Sequence, residues 1–293
     1  MSTRAPAWFE TKYIDGVTHR LQSKGWLLKP ATRGPDEVRG NTVIWKRAGM
    51  GEAQQASTSI EDASSMNLDR DTVQATMVDW EANDWIKKRD LEKMSQNEQA
   101  VVQQSGAMAI GRRFDRIVMG AFDAEGGTIL TVGDGSTAIS PVNIMDAQGQ
   151  IFNEGSGAYE YWCAIPSIFM QQLELYREFS SADWVADAYP LLKQIGARRY
   201  RGINVIPLPS HPTNAAKNFF NIPAANQMDG YMWVDGALGM ASSNSLESRI
   251  DYIATKKAWF AANDMSACAK VILPEGVRRL RFATNVALSR PTP

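Results

Sequence analysis

The sequence predicts an α+β fold organised by one long helix and a two-stranded excursion. Three observations predict it. From Ser95 to about Phe122 no proline occurs, and Val102, Ile110, Phe114, Ile117, Val118 and Ala121 recur mostly at three- and four-residue intervals or their multiples, the period of one helix face. Two stretches of strand character, NTVIWKRAG (41–49) and TVQATMV (72–78), flank a polar run from Gly49 to Asp71. From Ala158 onward, short aromatic and β-branched runs alternate with proline and glycine turns. The 293 residues suffice for one large or two ordinary domains.

The N-terminal stretch FETKYIDGVTHRLQSKG (9–25) places Tyr13, Val17 and Leu21 four residues apart, a short helix ending near Gly25. In KPATRGPDEVRGN (29–41) the prolines and glycines exclude a long helix or a central strand. In the first strand Val43 and Trp45 alternate with Thr42, Ile44 and Lys46; in the second, Val73, Ala75 and Met77 share a face. The stretch between Gly49 and Asp71 is too long for a plain loop in a compact domain. It reads as an extended hairpin that leaves the body and finds its partner on another subunit.

Ser95 and Glu98 have the capping-box spacing that starts the long helix, about 28 residues and on the order of 40 Å. Arg112, Arg113, Asp115 and Arg116 fall largely off the Ile110–Phe114–Ile117 stripe, and Arg112 and Arg116 lie four apart on the solvated or partner-facing side. Gly106, Gly111 and Gly120 each weaken an isolated helix by roughly 1 kcal/mol relative to alanine, so packing holds it and the glycines admit another backbone. EGGTILTVGDG (125–135) reads as turn, strand, turn. SPVNIMDAQGQIF (140–152) reads as a Ser140-capped helix with Pro141 first. AYEYWCAIPSIFMQQL (158–173) is a strand followed by a proline-initiated helix, and YRGINVIPLPS (200–210) is a buried strand. GYMWVDGALGMA (230–241) is a hairpin around Asp235–Gly236, and RIDYIATKKAWFAAN (249–263) and ACAKVILPEGVRRLRFAT (267–284) are two late strands.

Composition excludes several kinds of chemistry. A net charge of −1 gives no global field toward nucleic acid or lipid. Cys163 and Cys268 are too few for a disulfide framework or an all-cysteine metal cluster, and His19 and His211 too few for a histidine-rich zinc site, so no metal or cofactor is expected. The sequence has neither the apolar core of a signal peptide near its start nor a run of about 18 apolar residues, so no membrane partner is expected. Gly133-Asp134-Gly135-Ser136 lacks the phosphate-loop pattern and reads as an Asp-Gly turn. Ser210 and His211 form a proline-flanked turn, and Cys163 is a small core residue. No spacing singles out a carboxylate pair, so no catalytic residue is assigned.

Charge is nonetheless uneven. Met1–Arg47 carries nine Lys or Arg against four Asp or Glu; Ala48–Ile86 carries eight acids against one base. The two stretches are complementary, within one chain or between two copies. Arg198, Arg199 and Arg201 around Tyr200, and Arg278, Arg279 and Arg281 in EGVRRLRF (275–282), suit phosphate or salt bridges with a neighbouring subunit.

AIGRRFDRIVMGAF (109–122), VDWEANDWIKKRD (78–90) and SRIDYIATKKAW (248–259), with the order of the elements around them, resemble the major capsid proteins of tailed bacteriophages, the fold known from phage Hong Kong ninety-seven. The resemblance implies a division of the chain. Residues 1–35 would be an N-arm, 36–78 an extended E-loop and 79–155 a P domain with a spine helix at about 95–122. Residues 156–247 would be an A domain, and 248–293 return strands of the P domain or its border with the A domain. It implies self-assembly into hexamers and pentamers of an icosahedral shell, built in the host cytoplasm and ending in the virion, with double-stranded DNA on the inner face and a portal as partners. The chain starts directly with the arm, so a separate scaffolding protein is expected. No lysine lies between Gly49 and Asp71, so locking is expected to be non-covalent. Trp45, Met66, Arg112, Arg113, Arg116, Arg198, Arg199 and Arg201 are the candidate subunit contacts. The rival readings are an encapsulin-like nanocompartment shell and a mixed α/β enzyme.

Overall fold

The computed structural model describes residues 23–53, 55, 65–88, 98–157, 159–176, 198–211, 214 and 217–286, with the backbone alone at 98–99, 198 and 243–248. The expected helix through Tyr13, Val17 and Leu21, and the Ser95 cap, lie outside these residues.

Strands β1 (Glu37–Arg39), β2 (Thr42–Ala48) and β3 (Arg70–Thr76) form a three-stranded antiparallel sheet. Val43 pairs with Ala75 and Trp45 with Val73, so one face of β2–β3 is apolar, as the alternation predicts. β4 (Val78–Glu81) and β5 (Asp84–Lys87) follow, then helix α1 (Glu98–Ala124), β6 (Leu130–Val132) and α2 (Pro141–Asn153). The Ser140 hydroxyl accepts the Asn143 N–H at 3.4 Å, the predicted cap. β7 (Tyr161–Pro166) leads into the short helix α3 (Ser167–Leu173). Then come β8 (Arg198–Tyr200), β9 (Ile203–Leu208), β10 (Gln227–Val234), β11 (Leu238–Ile253), β12 (Ala258–Val271) and β13 (Val277–Ala283).

Two further sheets divide these strands. A six-stranded sheet has the order β6-β13-β10-β7-β9-β8, and a four-stranded sheet the order β11-β12-β4, with β5 also on β12. The late strands are thus shared: β12 lies in the four-stranded sheet, and β13 lies between β6 and β10 of the six-stranded one. α1 lies over β11 and β12. Its buried residues Ile110, Phe114, Val118, Met119 and Phe122 join one core with Phe169, Tyr231, Trp233, Leu280 and Phe282. Phe122 stacks on Tyr231, with ring centroids 4.7 Å apart.

Two expectations about strands are corrected. Asp235–Gly236 is no hairpin turn, because β10 pairs with β7 and β13 whereas β11 pairs with β12. The turn, with Gly236 at φ 84°, hands the chain from one sheet to the other. The stretch 249–263 is not one strand. It breaks at residues 254–257, where Lys257 takes φ 49° and Ile253 faces Ala258 across a hairpin. Likewise 267–284 is the end of β12, a 3₁₀ turn at Pro274–Gly276, and β13.

Candidate functional site

The arginine-rich half of α1 lies against a strap formed by residues 24–36. Gly25, at φ 75°, and Gly111 let the two backbones touch: a Cβ on Gly25 would lie 1.9 Å from the Gly111 carbonyl carbon. Trp26 N–H donates to the Gly111 carbonyl at 3.3 Å. The strap continues with Leu28 and Ala31 in the core. The Ala31 carbonyl accepts the Trp233 indole N–H at 2.9 Å, and Arg33 bridges Gly239 on β11. Gly111 thus admits another backbone, as expected, and it belongs to the same chain.

Asp115 corrects the sequence reading. It is fully buried, and its carboxylate accepts the N–H groups of Leu27 at 3.3 Å and Leu28 at 3.1 Å. The signal was present: Gly111, Asp115, Val118 and Phe122 recur every three or four residues along the edge of the apolar stripe. Burial pushes the carboxyl from its ordinary 3.8 up to about 6, against the pull of the two N–H donors. The folded chain therefore keeps a proton that the unfolded chain releases as pH rises through about 4. Asp115 favours folding most below that pH, and the contribution, about 3 kcal/mol, is lost as pH rises through 6. Denaturant unfolding of the wild type and of Asp115→Asn from pH 4 to 7 should show their difference in stability moving by about this amount against the wild type. A constant difference would contradict the assignment.

The three α1 arginines are each half-buried. Arg112 donates to the Ser23 carbonyl at 3.4 Å, Arg113 stacks 3.3 Å over the Trp80 ring, and Arg116 lies 5.5 Å from the Phe219 centroid. Burial, then the neighbouring Arg116 charge, lowers the pKa of Arg112 and Arg113.

Arg198 pairs through its backbone with Val205 on the outer strand of the six-stranded sheet. Arg199 lies 3.8 Å from Glu160, both exposed. Arg201 and Gly202, both at positive φ, form the two-residue β8–β9 turn. These three are brought together with one another, at an outer strand of a different sheet from the one that carries α1.

Trp45 is a correction. Its side chain is wholly buried, packs where a Cβ on Gly239 would sit 2.5 Å away, and donates to the Gly34 carbonyl at 3.1 Å. It fixes the base of the β2–β3 hairpin on its own subunit, with Val43, Met77, Ala241, Cys268 and Ile272, and has no surface left for a neighbour. Met66 is exposed, beside Gly51 on the outward part of the hairpin.

The β13 arginines are also corrected. Arg281 makes two bonds to fully buried Asp229, at 2.8 and 3.0 Å, and Arg279 lies 3.8 Å from the same carboxylate while donating to the Gly126 carbonyl. Asn221 completes the Asp229 shell at 3.2 Å. Next to it the Tyr231 hydroxyl donates to Asp123 at 2.5 Å, and burial raises the Asp123 pKa. Arg278, 2% exposed, donates to the carbonyls of Glu275, Val277 and Gln150. All three guanidiniums are therefore engaged within the chain, and none offers a free fork to phosphate.

Gly133–Ser136, His211 and Cys163 make local contacts or lie in the core. Asp134 holds Ser136 through N–H and hydroxyl bonds in a turn. His211 Nδ1 accepts the Asn214 N–H. Burial pushes the Cys163 thiol up to about 12, far from a reactive thiolate. Among the described residues no group of histidine, cysteine and carboxylate side chains could hold a metal, and no helix is long and apolar enough to cross a membrane.

Solved structures share this architecture along nearly the whole chain. The capsid asymmetric unit of cyanophage Pam1 superposes with TM-score 0.67 at 14% identity, covering 98% of this chain and 100% of that one. The capsid of cyanophage P-SCSP1u gives 0.66 at 14% identity over 94% and 93%, and that of Ralstonia phage GP4 gives 0.65 at 11% over 100% of both. No curated protein matches the sequence. The model of one family, described as phage capsid protein, matches residues 5–284. With nearly all its residues inside that match, and a fold shared with phage capsid subunits, the chain belongs to the phage capsid protein family.

Proposed function

We propose that the chain is the major capsid protein of a tailed phage and that it self-assembles through hexamers and pentamers into the icosahedral head. The match to the capsid family over residues 5–284 carries this reading. The β2–β3 pair supports it: Val43 and Trp45 at its root are packed, whereas Met50 is fully exposed and Met66 half-exposed. On this reading residues 1–35 are the N-arm and 36–78 the E-loop. Residues 79–155, with α1 as spine, form the P domain, 156–247 the A domain, and 248–293 the return strands. The hairpin lies over an adjacent subunit, with Met66 as an anchor, and Arg112, Arg113, Arg116, Arg198, Arg199 and Arg201 meet neighbours. Many modest contacts closing at once give a stable shell.

A separate scaffolding protein and a portal assist assembly in the host cytoplasm, and DNA fills the inner face. Locking is non-covalent. Lys46, the lysine nearest the loop, is held 3.3 Å from Glu37 of its own chain. Negative-stain microscopy of the purified protein, alone and co-expressed with its scaffolding protein, tests the reading. Shells, tubes or rings of hexamers and pentamers are expected, and a monomer that never assembles in either case would sink it. Shell yield should also fall markedly as ionic strength rises, because the Debye length shrinks from about 10 Å at 0.1 M to 3 Å at 1 M salt.

A further inference from the structure

Between the first half of α1 and the β4–β5 turn lies an open cleft of about 380 Å³. One wall is formed by residues 82–84. The other is the helix face with Val101, Val102, Ser105, Gly106 and Ala109. The volume is that of a small-ligand pocket, and the helix wall is narrow and aliphatic apart from Ser105.

Asn263 of β12 stands behind the cleft, between its two walls. Its backbone N–H donates to Asn83 Oδ1 at 3.1 Å, its side-chain NH2 donates to the Ala82 carbonyl at 3.0 Å, and its carbonyl accepts the Ala82 N–H at 2.8 Å. Gly106 makes room for the amide on the helix side: a Cβ there would lie 2.2 Å from the Asn263 Nδ2. The bond to Ala82 fixes which end of the amide is nitrogen. The other end, Oδ1, has no hydrogen-bond partner among the described residues, although Asn263 is 0% exposed. A buried acceptor left unmet is costly, and it marks a place where a donor belongs.

The charge at the cleft has one sign. Asp84 pairs with Ala261, two places from Asn263, so both side chains point to the α1 side of the sheet. The Asp84 carboxylate accepts the Trp85 N–H at 2.7 Å and makes no ion pair among the described residues. No lysine, arginine or histidine is among the described residues of the walls. The Lys256 ammonium lies over Trp85, which points to the opposite face of the sheet. A guest must therefore bring hydrogen-bond donors, a positive charge and a slim apolar body. An ammonium on a straight alkyl chain has all three. Asp84 repels a carboxylate or a phosphate, and the walls hold no aromatic ring to stack on a flat guest.

We infer that this cleft binds an alkylammonium group. Its methylenes lie along Val101, Val102 and Ala109, and its NH3⁺ lies between Asp84 and the Ser105 hydroxyl. It reaches Asn263 Oδ1 as the exposed turn at Asn83 gives way. Two sources carry this chemistry: a free aliphatic amine and the lysine side chain of another chain. The site is complete within one subunit, so the inference stands apart from the shell reading.

Saturation-transfer NMR of the full-length, unassembled protein with ethyl-, propyl-, butyl- and pentylammonium at fixed ionic strength tests it. Butylammonium should bind with a Kd on the order of a millimolar. Each added methylene should tighten binding by about two- to fourfold, because the chain is buried against the valines. Butanol and butyrate should bind at least about threefold more weakly than butylammonium. Asp84→Asn should weaken butylammonium by about three- to fivefold. Ser105→Phe, at an exposed helix position, should fill the cleft and abolish binding with Tm little changed. The side-chain amide signal of Asn263 should shift on binding in the wild type and not in Ser105→Phe.

The assembled protein separates the two sources. If carbodiimide then joins Asp84 to a lysine of another chain and putrescine no longer binds, the lysine side chain is the natural guest. Putrescine that still binds after assembly assigns the site to a free amine. Three results would overturn the inference: affinity that ignores chain length, butanol that binds as well as butylammonium, or Asp84→Asn and Ser105→Phe that both bind like the wild type.

Discussion

Asp229→Ala is expected to cost about 3–5 kcal/mol of unfolding free energy, the scale of leaving a buried charge without its partner. Asp229 sits on β10 opposite Arg281 on β13, at 0% exposure. It receives both guanidinium bonds of Arg281, lies within 3.8 Å of Arg279 and accepts from Asn221. Truncation removes the only carboxylate that pairs with Arg281 among the described residues, and also the carboxylate 3.8 Å from the largely buried Arg279. Denaturant unfolding followed by tryptophan fluorescence measures the loss. The pair acts as a unit, so Arg281→Met added to Asp229→Ala should recover part of the loss rather than double it, since no unpaired Arg281 charge then remains. A single-variant loss below about 1 kcal/mol would mean that the charges are solvated after all.

Trp45→Ala should act locally. Removing a fully buried indole costs about 3–5 kcal/mol, and here it also strips the Gly34 carbonyl of its donor. The lost contacts lie in a small cluster separate from the main core, so the root of the hairpin should loosen first. Amide exchange in Thr42–Ala48 and Arg70–Thr76 should quicken by about a hundredfold or more, with α1 and the six-stranded sheet little changed. A subunit-contact role for Trp45 predicts the opposite pattern: unaltered exchange in the free subunit and a defect only on assembly. The two patterns cannot be confused.

Much of this architecture was legible in the sequence because it is local. The α1 stripe, the Ser140 cap, the alternation in β2 and β3, and the strand-to-helix step at Pro166 each depend on residues a few places apart. The corrected or missed features depend on distant partners. Arg279 and Arg281 read as surface charges until Asp229, some fifty residues away, is set beside them. Trp45 reads as a candidate subunit contact until Gly239 opens a place for it. The turn at Asp235–Gly236 has hairpin chemistry, but β13 outcompetes β11 for β10. Of the candidate contacts, Arg112, Arg113 and Arg116 are half-buried, against the Ser23 carbonyl, Trp80 and Phe219 of the same chain. Asp115 was misjudged because its two N–H donors come from a strap 87 and 88 residues upstream.

The place of β13 in the six-stranded sheet bears on the timing of synthesis. Residues 277–283 insert between β6 and β10, strands made well before them. A ribosome adding about 5–20 residues per second leaves β10 with an open margin for several seconds before β13 emerges. Until then Asp229 has no arginine beside it and β6 has no neighbour in its sheet. A nascent chain thus cannot finish its fold early, and maturity as a building block arrives only with the last strand.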